Sequence, residues 1–428
     1  MTTTAKTFLF GTHVASITWD DDRELGLFEY HPDFLDSRIE IAPLTMPLRS
    51  GVFTFQNLPR ETFKGLPGLL ADSLPDKFGN MLINQWLADQ GRTPESFNPV
   101  ERLCYIGSRG MGALEFEPTL SARLPSSPLD VERLIELANL ALDRRRGLHA
   151  RLDTAPGLAE IVRVGTSAGG ARAKAIVAWN QDTGEIRSGQ LNAPQGFEPW
   201  LIKFDGVREN SDKESADPQG YGRIEYAYHL MAREAGIDMS DCHLLEENGR
   251  AHFMTKRFDR TPGGDKLHLQ TLCGIAHMDF NQAGAHSYEQ AFLVARQLGL
   301  SYPEQLELYR RAVFNIVSRN QDDHTKNISF TMDRSGNWQL APAYDIIYSY
   351  NPNGAWTDRH QMSLSGKRDD FAAIDLLDAA KAANVKKTQA IEAIDQIVAA
   401  VTQWQRFADQ AGVPKSQAFA IAQVHRLL

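Results

Sequence analysis

Asn320-Gln-Asp-Asp-His-Thr-Lys-Asn327 is a polar stretch set between hydrophobic runs. Upstream lies Leu306-Glu-Leu-Tyr-Arg-Arg-Ala-Val-Phe-Asn-Ile-Val317, whose apolar residues recur at helical spacing. Downstream come a short apolar run, Ile328-Ser-Phe330, and then Asp333-Arg-Ser-Gly-Asn-Trp338, which reads as a hairpin turn. Two carboxylates, an imidazole, an ammonium and a carboxamide are thus confined to one loop between a helix and a strand.

Asp322 and Asn327 stand five positions apart. That is the D-x-x-x-x-N spacing of a protein-kinase catalytic loop, in which the Asp receives a hydroxyl proton and the Asn holds a magnesium ion. Asp345, in Pro342-Ala-Tyr-Asp-Ile-Ile347, follows Asn327 by eighteen residues and is a candidate second metal-holding carboxylate. Taken in isolation, such spacing is more often a polar surface loop. The remaining residues decide between the two.

Working outward, Trp200-Leu-Ile-Lys-Phe-Asp205 places Lys203 inside an apolar strand, where an ammonium needs an anionic partner. A nucleotide phosphate or a glutamate would serve. Glu225 lies in the next helical stretch, Ile224 to Ala235, at a kinase-like position for an ion pair with Lys203. It would also complement a helix N-terminus. Before the lysine strand runs Val164-Gly-Thr-Ser-Ala-Gly-Gly-Ala-Arg-Ala-Lys174. Its small residues, Ser167, Ala168, Gly169, Gly170 and Ala171, let backbone N–H groups approach phosphate oxygens. It lacks Walker A spacing and a strand follows it, so it reads as a flexible lid between strands or as a hairpin turn. After Glu225, His252-Phe-Met-Thr-Lys-Arg-Phe-Asp-Arg260 runs out into Thr261-Pro-Gly-Gly264, where an interlobe hinge would fall. Backbone groups near Lys256 and Phe258 are the candidates for reading an adenine edge.

The first 60 or so residues read as β-structure, with strands at Thr7–Gly11, His13–Trp19 and Leu25–Tyr30 and a turn at Asp20–Asp22. A helix is expected over Met81–Ala88 and another over Leu129–Leu142. Tyr105 to Pro118 reads as a glycine-rich turn and a strand; Gly107, Gly110 and Gly112 invite a nucleotide-binding reading, but a lone glycine cluster is more often a tight structural turn. From residue 270 onward the pattern is largely helical. Strands early and helices late predict an α+β architecture.

Composition sets bounds on these readings. The 428 residues allow two or three domains, and 42% hydrophobic with 23% charged residues is ordinary for a globular protein. A net charge of −9 argues against nucleic acid as the main ligand of this chain alone. No run is apolar enough for a membrane span, and the N-terminus lacks a signal-peptide core, so a cytoplasmic location is expected. Cys104, Cys242 and Cys273 are far apart and read as reduced core thiols.

In this order of parts the sequence resembles the HipA family, the kinase toxins of bacterial HipBA toxin–antitoxin modules. The resemblance spans nearly the whole chain. It rests on Leu66–Gly79, Gly110–Leu114, Ser167–Lys174, Leu201–Phe204, Lys256–Arg260, Asp322–Ser329 and Pro342–Ile347. It implies a bilobal protein-kinase-like α+β fold with an N-terminal β-rich subdomain (1–120). A kinase N-lobe (121–258) with a bridging helix and the ATP-covering loop would follow, then an all-helical C-terminal lobe (259–428) with the catalytic loop. It implies a serine/threonine protein kinase using ATP and Mg²⁺, with Asp322 catalytic, Asn327 and Asp345 on the metal, and Lys203 on the α/β-phosphates.

The resemblance also gives the Ser167–Lys174 segment the ATP-covering role, with Ser167 the autophosphorylation site and Lys174 a candidate nucleotide contact. His324 and Lys326 would contact phosphate or shape the loop. A HipB-like helix-turn-helix antitoxin would be the partner and DNA would be reached only through it. The substrate would be a cytosolic protein, a class that in the family includes aminoacyl-tRNA synthetases. Asp323 departs from the family pattern, which has a small residue there, and leaves two adjacent carboxylates to be told apart. Two other readings share the ATP-side residues: a pseudokinase or regulatory scaffold acting by partner binding, and a small-molecule kinase.

Overall fold

The computed structural model describes residues 3–121, 127–145, 161, 164–165, 172–189, 193–207 and 220–428. The chain divides into two compact units: residues 1–219, 254–269 and 333–336, and residues 220–253, 270–332 and 337–428.

The first unit opens with an antiparallel sheet. Its strands are β1 (Thr4–Leu9), β2 (Thr12–Asp20), β3 (Leu25–Tyr30), β4 (Val52–Phe53) and β5 (Leu114–Glu117), in the order β4-β3-β2-β1-β5. In β2, Val14, Ala15 and Ile17 are buried, and in β3, Leu25, Phe28 and Tyr30. The expected Asp20–Asp22 turn is closed by the Asp20 carboxylate, which accepts from the backbone N–H groups of Asp22 and Arg23. The Lys77–Asp89 helix is capped by Asp76, whose Oδ1 accepts from Gly79 N at 2.9 Å. The Pro99–Ile106 helix begins with a reciprocal capping box between Asn98 and Glu101. The helix expected over Leu129–Leu142 forms as Val131–Arg145.

A second set of strands in this unit holds the lysine strand. β6 (Lys174–Trp179) lies between β7 (Ile186–Ser188) and β8 (Glu198–Lys203). Further along the chain come β9 (Cys242–Glu247) and β10 (Arg250–Lys256). Every residue of β6 is buried, Lys174 along with the apolar run Ala175–Trp179.

The second unit is built mainly of helices. Its core helices are Tyr221–Glu234, Tyr288–Gln297, Tyr302–Val317, Ala373–Ala382, Lys387–Thr402 and Trp404–Ala411. Trp404 is buried against Tyr228 with ring centroids 5.2 Å apart, and its indole N–H donates to Ala418 O at 2.9 Å. The expectation of an all-helical region after residue 259 is corrected here. A three-stranded sheet, β11 (His268–Thr271), β12 (Ser329–Met332) and β13 (Trp338–Leu340), lies within it in that order. Strands of three or four residues are too short to impose a period on the sequence. The Asp333–Trp338 turn joins β12 to β13 as expected, with Asp333 Oδ1 accepting from Ser335 N at 2.7 Å.

Candidate catalytic loop

The Tyr302–Val317 helix delivers the polar loop. Its C-terminal turn ends at Ser318, and Arg319 then takes a left-handed backbone (φ 61°) that swings the chain out of the helix. Asn320 ties the loop back to the helix: its N–H donates to Asn315 O and its Nδ2 to Asn315 Oδ1, at 3.0 and 2.9 Å. Gln321 N donates to Ser349 O at 3.1 Å, so the loop is also braced by the strand-like segment that follows Asp345.

The two adjacent carboxylates have different surroundings. Asp323 is 2% exposed. It accepts from Tyr288 Oη at 2.7 Å, from Gln361 N at 2.7 Å and, since Arg426 Nη1 donates to the other ring nitrogen, from His360 Nδ1 at 2.8 Å. Three donors on a buried carboxylate satisfy it in place. Asp322 is partly exposed and accepts from Trp356 Nε1 at 2.6 Å. Its backbone carbonyl accepts from Asn327 Nδ2 at 2.8 Å. That bond fixes the carboxamide with its nitrogen toward the loop and presents its oxygen as the free end for a cation.

His324 caps the short turn Thr325–Asn327, and its ring meets Phe280 edge-on at 5.3 Å. Its Nε2 lies 4.0 Å from Asp322 Oδ1. The Lys326 ammonium sits 4.7 Å from the Phe280 ring centre. Tyr344 bridges to the second metal candidate: its hydroxyl donates to Lys326 O at 2.5 Å and is bonded to Ser329 Oγ. Asp345, the next residue, has φ 51°. A non-glycine residue there costs on the order of 1 kcal/mol, a strain that clusters at functional sites. Asp345 and Asn327 supply only oxygen donors, which suits a magnesium ion completed by water and phosphate.

The first unit carries the other candidates. Lys174 and Lys203 are direct cross-strand partners between β6 and β8, so their side chains leave the same face. Like charges in that position need an anion. Lys174 is 2% exposed and its Nζ lies 3.9 Å from Asp76 Oδ2, inside the unit. Lys203 is half-buried at the end of β8. The Lys256 ammonium pairs with Glu198, and Phe258 is half-buried in the turn after β10. Ser167, Ala168, Gly169, Gly170 and Ala171 lie outside the described residues. In the second unit, Glu225 is 1% exposed on the Tyr221–Glu234 helix.

Sequence reasoning did not single out two groups. One is the Tyr288–His360–Gln361 shell of Asp323. The other surrounds Asp259, which is fully buried and accepts from Arg257, Arg260 and the Gly112 N–H at 2.6–2.9 Å. Burial alone would raise this carboxyl, but Arg257 and Arg260 hold it well below the usual range. Gly112 reaches this position because it has φ 74° and because any Cβ would stand 3.1 Å from Leu269. The alternating charges of Lys256-Arg-Phe-Asp-Arg260 were the available signal.

The frame and loop together define a HipA-like α+β protein. The HipA-like C-terminal domain model matches residues 166–405 and the HipA N-terminal domain model matches residues 5–117, and the chain belongs to the HipA family. It is 25% identical over 349 residues to "Putative kinase Y4mE" of Sinorhizobium fredii (strain NBRC 101917 / NGR234), covering 79% of this chain and 75% of that one. It is 27% identical over 175 residues to a "Putative kinase" of Haemophilus influenzae (strain ATCC 51907 / DSM 11121 / KW20 / Rd), covering 36% of this chain and 51% of the relative. Among solved structures it resembles a chain of the Shewanella oneidensis MR-1 toxin–antitoxin complex of HipA, HipB and operator DNA. The TM-score is 0.67 at 16% identity, with 98% of this chain and 94% of the other covered, a likeness of fold.

Proposed function

We propose that this protein is an ATP- and Mg²⁺-dependent serine/threonine protein kinase, the toxin of a toxin–antitoxin module. The observation that carries this reading is the division of labour in the Asp322–Asp323 pair. Asp323 is used up as a buried brace, while Asp322 remains at the accessible side of a rigid loop, five residues before an oriented Asn327. Asp322 is the base that takes the proton of a substrate hydroxyl. Asn327 and Asp345 hold the magnesium ion, which when bound neutralises charge on the phosphates. Lys203 takes the α/β-phosphates, with Glu225 as its carboxylate partner. The Ser167–Ala171 loop covers the nucleotide, and backbone groups around Lys256 and Phe258 read the adenine.

Ser167 is the autophosphorylation site. A phosphate there brings about −1.5 to −2 charges beside those of ATP and disfavours the covering position. The substrate is a cytosolic protein, an aminoacyl-tRNA synthetase being one class that fits. The chain's own charge of −9 fits a partner that contacts DNA in its place, a HipB-like helix-turn-helix antitoxin. Among the described residues no helix is long and apolar enough to cross a membrane.

The test is radiolabelled ATP in cell lysate with wild type and Asp322→Gln side by side. Transfer is lost in the variant while ATP binding persists, and full transfer by Asp322→Gln would overturn the assignment. Mass spectrometry after incubation with Mg-ATP locates the modified serine, and labelling elsewhere with Ser167 untouched would remove its role.

A further inference from the structure

We propose that Trp356 is a positioning residue for Asp322, and that the Asn351–Gln361 segment exists in part to hold its indole there. This rests on the kinase reading above. Trp356 Nε1 donates to Asp322 Oδ1 at 2.6 Å, a charge-assisted bond from a residue 34 positions downstream. A carboxylate on a loop swings about χ2 unless one oxygen is pinned, and a proton acceptor must point one way when the hydroxyl arrives.

The backbone that carries the indole is held by a second set of bonds. Gln361 Nε2 donates to Trp356 O and, at 3.1 Å, to Arg359 O. Gln321, the residue before Asp322, donates from Nε2 to Thr357 O at 3.1 Å. Gln361 N donates to Asp323 Oδ1. Gln321 and Gln361 are 0% and 3% exposed, and Gln361 Nε2 also reaches Gln321 O at 3.4 Å, so two buried carboxamides stitch the loop to the chain that follows Trp356. Asp322 thus receives a side-chain donor from a segment that is fastened to both of its sequence neighbours, Gln321 and Asp323. A chance surface contact would not be backed by three further bonds between the same two pieces of chain, from Gln321 Nε2 to Thr357 O, from Gln361 N to Asp323 Oδ1 and from Gln361 Nε2 to Gln321 O.

The experiment compares the full chain with Trp356→Phe, and with a chain in which the Trp356 indole alone is replaced site-specifically by benzothiophene. The second keeps ring size and removes only the N–H. Initial rates of phosphate transfer from Mg-ATP, ATP affinity by calorimetry, and melting temperature are measured across pH. Loss of one hydrogen bond to a charged group predicts a fall in kcat of about ten- to a hundredfold. ATP affinity stays unchanged, and the acidic limb of the kcat profile moves toward higher pH, because the ionised carboxylate has lost a donor. A purely structural role would lower the melting temperature without moving that limb. Unchanged or faster transfer by the benzothiophene chain, with wild type active and Asp322→Gln inactive, overturns this inference alone. A wild type whose transfer equals that of Asp322→Gln overturns the kinase reading beneath it.

Discussion

Asp323 Oδ2 and His360 Nδ1 lie 2.8 Å apart with both side chains excluded from solvent, and on its far side His360 Nε2 accepts from Arg426 Nη1 at 3.0 Å. Asp323 is therefore one end of a buried chain of bonds that anchors the loop. Asp323→Ala strips the acceptor from Tyr288, His360 and Gln361 at once. We expect a loss of about 3–5 kcal/mol in unfolding free energy. Asp322→Asn should leave stability within about 1 kcal/mol of wild type and abolish transfer. Denaturant titration of both variants, with transfer assays in parallel, checks the separation.

Asp345 holds a left-handed backbone that glycine adopts without strain. Asp345→Gly should raise stability by roughly 1 kcal/mol, while Mg²⁺-dependent ATP binding and transfer disappear. Calorimetric ATP titration with and without EDTA, beside thermal unfolding, reads both effects. An Asp345→Gly chain that binds Mg-ATP normally would remove Asp345 from the metal.

Four histidines are kept neutral in the fold. Burial lowers His229, His268, His277 and His425 to about 4, with Arg233 adding to the effect at His229 and Arg319 at His425. The unfolded chain binds their protons from about pH 6.5 downward, whereas the folded chain does not until about pH 4. Stability therefore falls as pH drops through that window, by at most about 1.4 kcal/mol per pH unit for each histidine. Asp259, depressed in the fold, adds a further loss only below its unfolded value near 3.8. Urea midpoints at pH 7.5, 6.0 and 5.0 should decline in that order, and a flat series would contradict it.

Asp259→Asn leaves Arg257 and Arg260 buried without their counter-charge. A cost of about 3–5 kcal/mol is expected. Asp265→Asn, which removes an ion pair with exposed Arg334, should cost under about 1 kcal/mol. Melting temperatures of the two chains compare a buried ion with a surface one.

The catalytic loop was legible because its chemistry is contiguous: Asp322, His324, Lys326 and Asn327 fall within six residues and keep a spacing that chemistry demands. Strands β1–β3 were legible from the aromatic, β-branched and apolar content of Thr7–Gly11, His13–Trp19 and Leu25–Tyr30. The roles of Asp322 and Asp323 were not separable in sequence, because the groups that bury Asp323 come from positions 288, 360 and 361. Trp356 was missed for the same reason. Asp259 was visible as one charge among several near an expected hinge. Its role depends on Gly112, 147 residues earlier, where a backbone N–H rather than a side chain makes the contact.

That last contact bears on how the gene can be cut. A fragment starting near residue 166, where the C-terminal family match begins, would carry Arg257, Asp259 and Arg260 but lose Gly112 N–H and the Gly110 and Gly112 carbonyls that complete their shell. It would inherit a knot of ions with its wrapping torn open. Truncation, gene fusion and domain exchange should therefore keep residues 107–113 in cis with 257–260, and a split pair of fragments should regain solubility only when co-expressed.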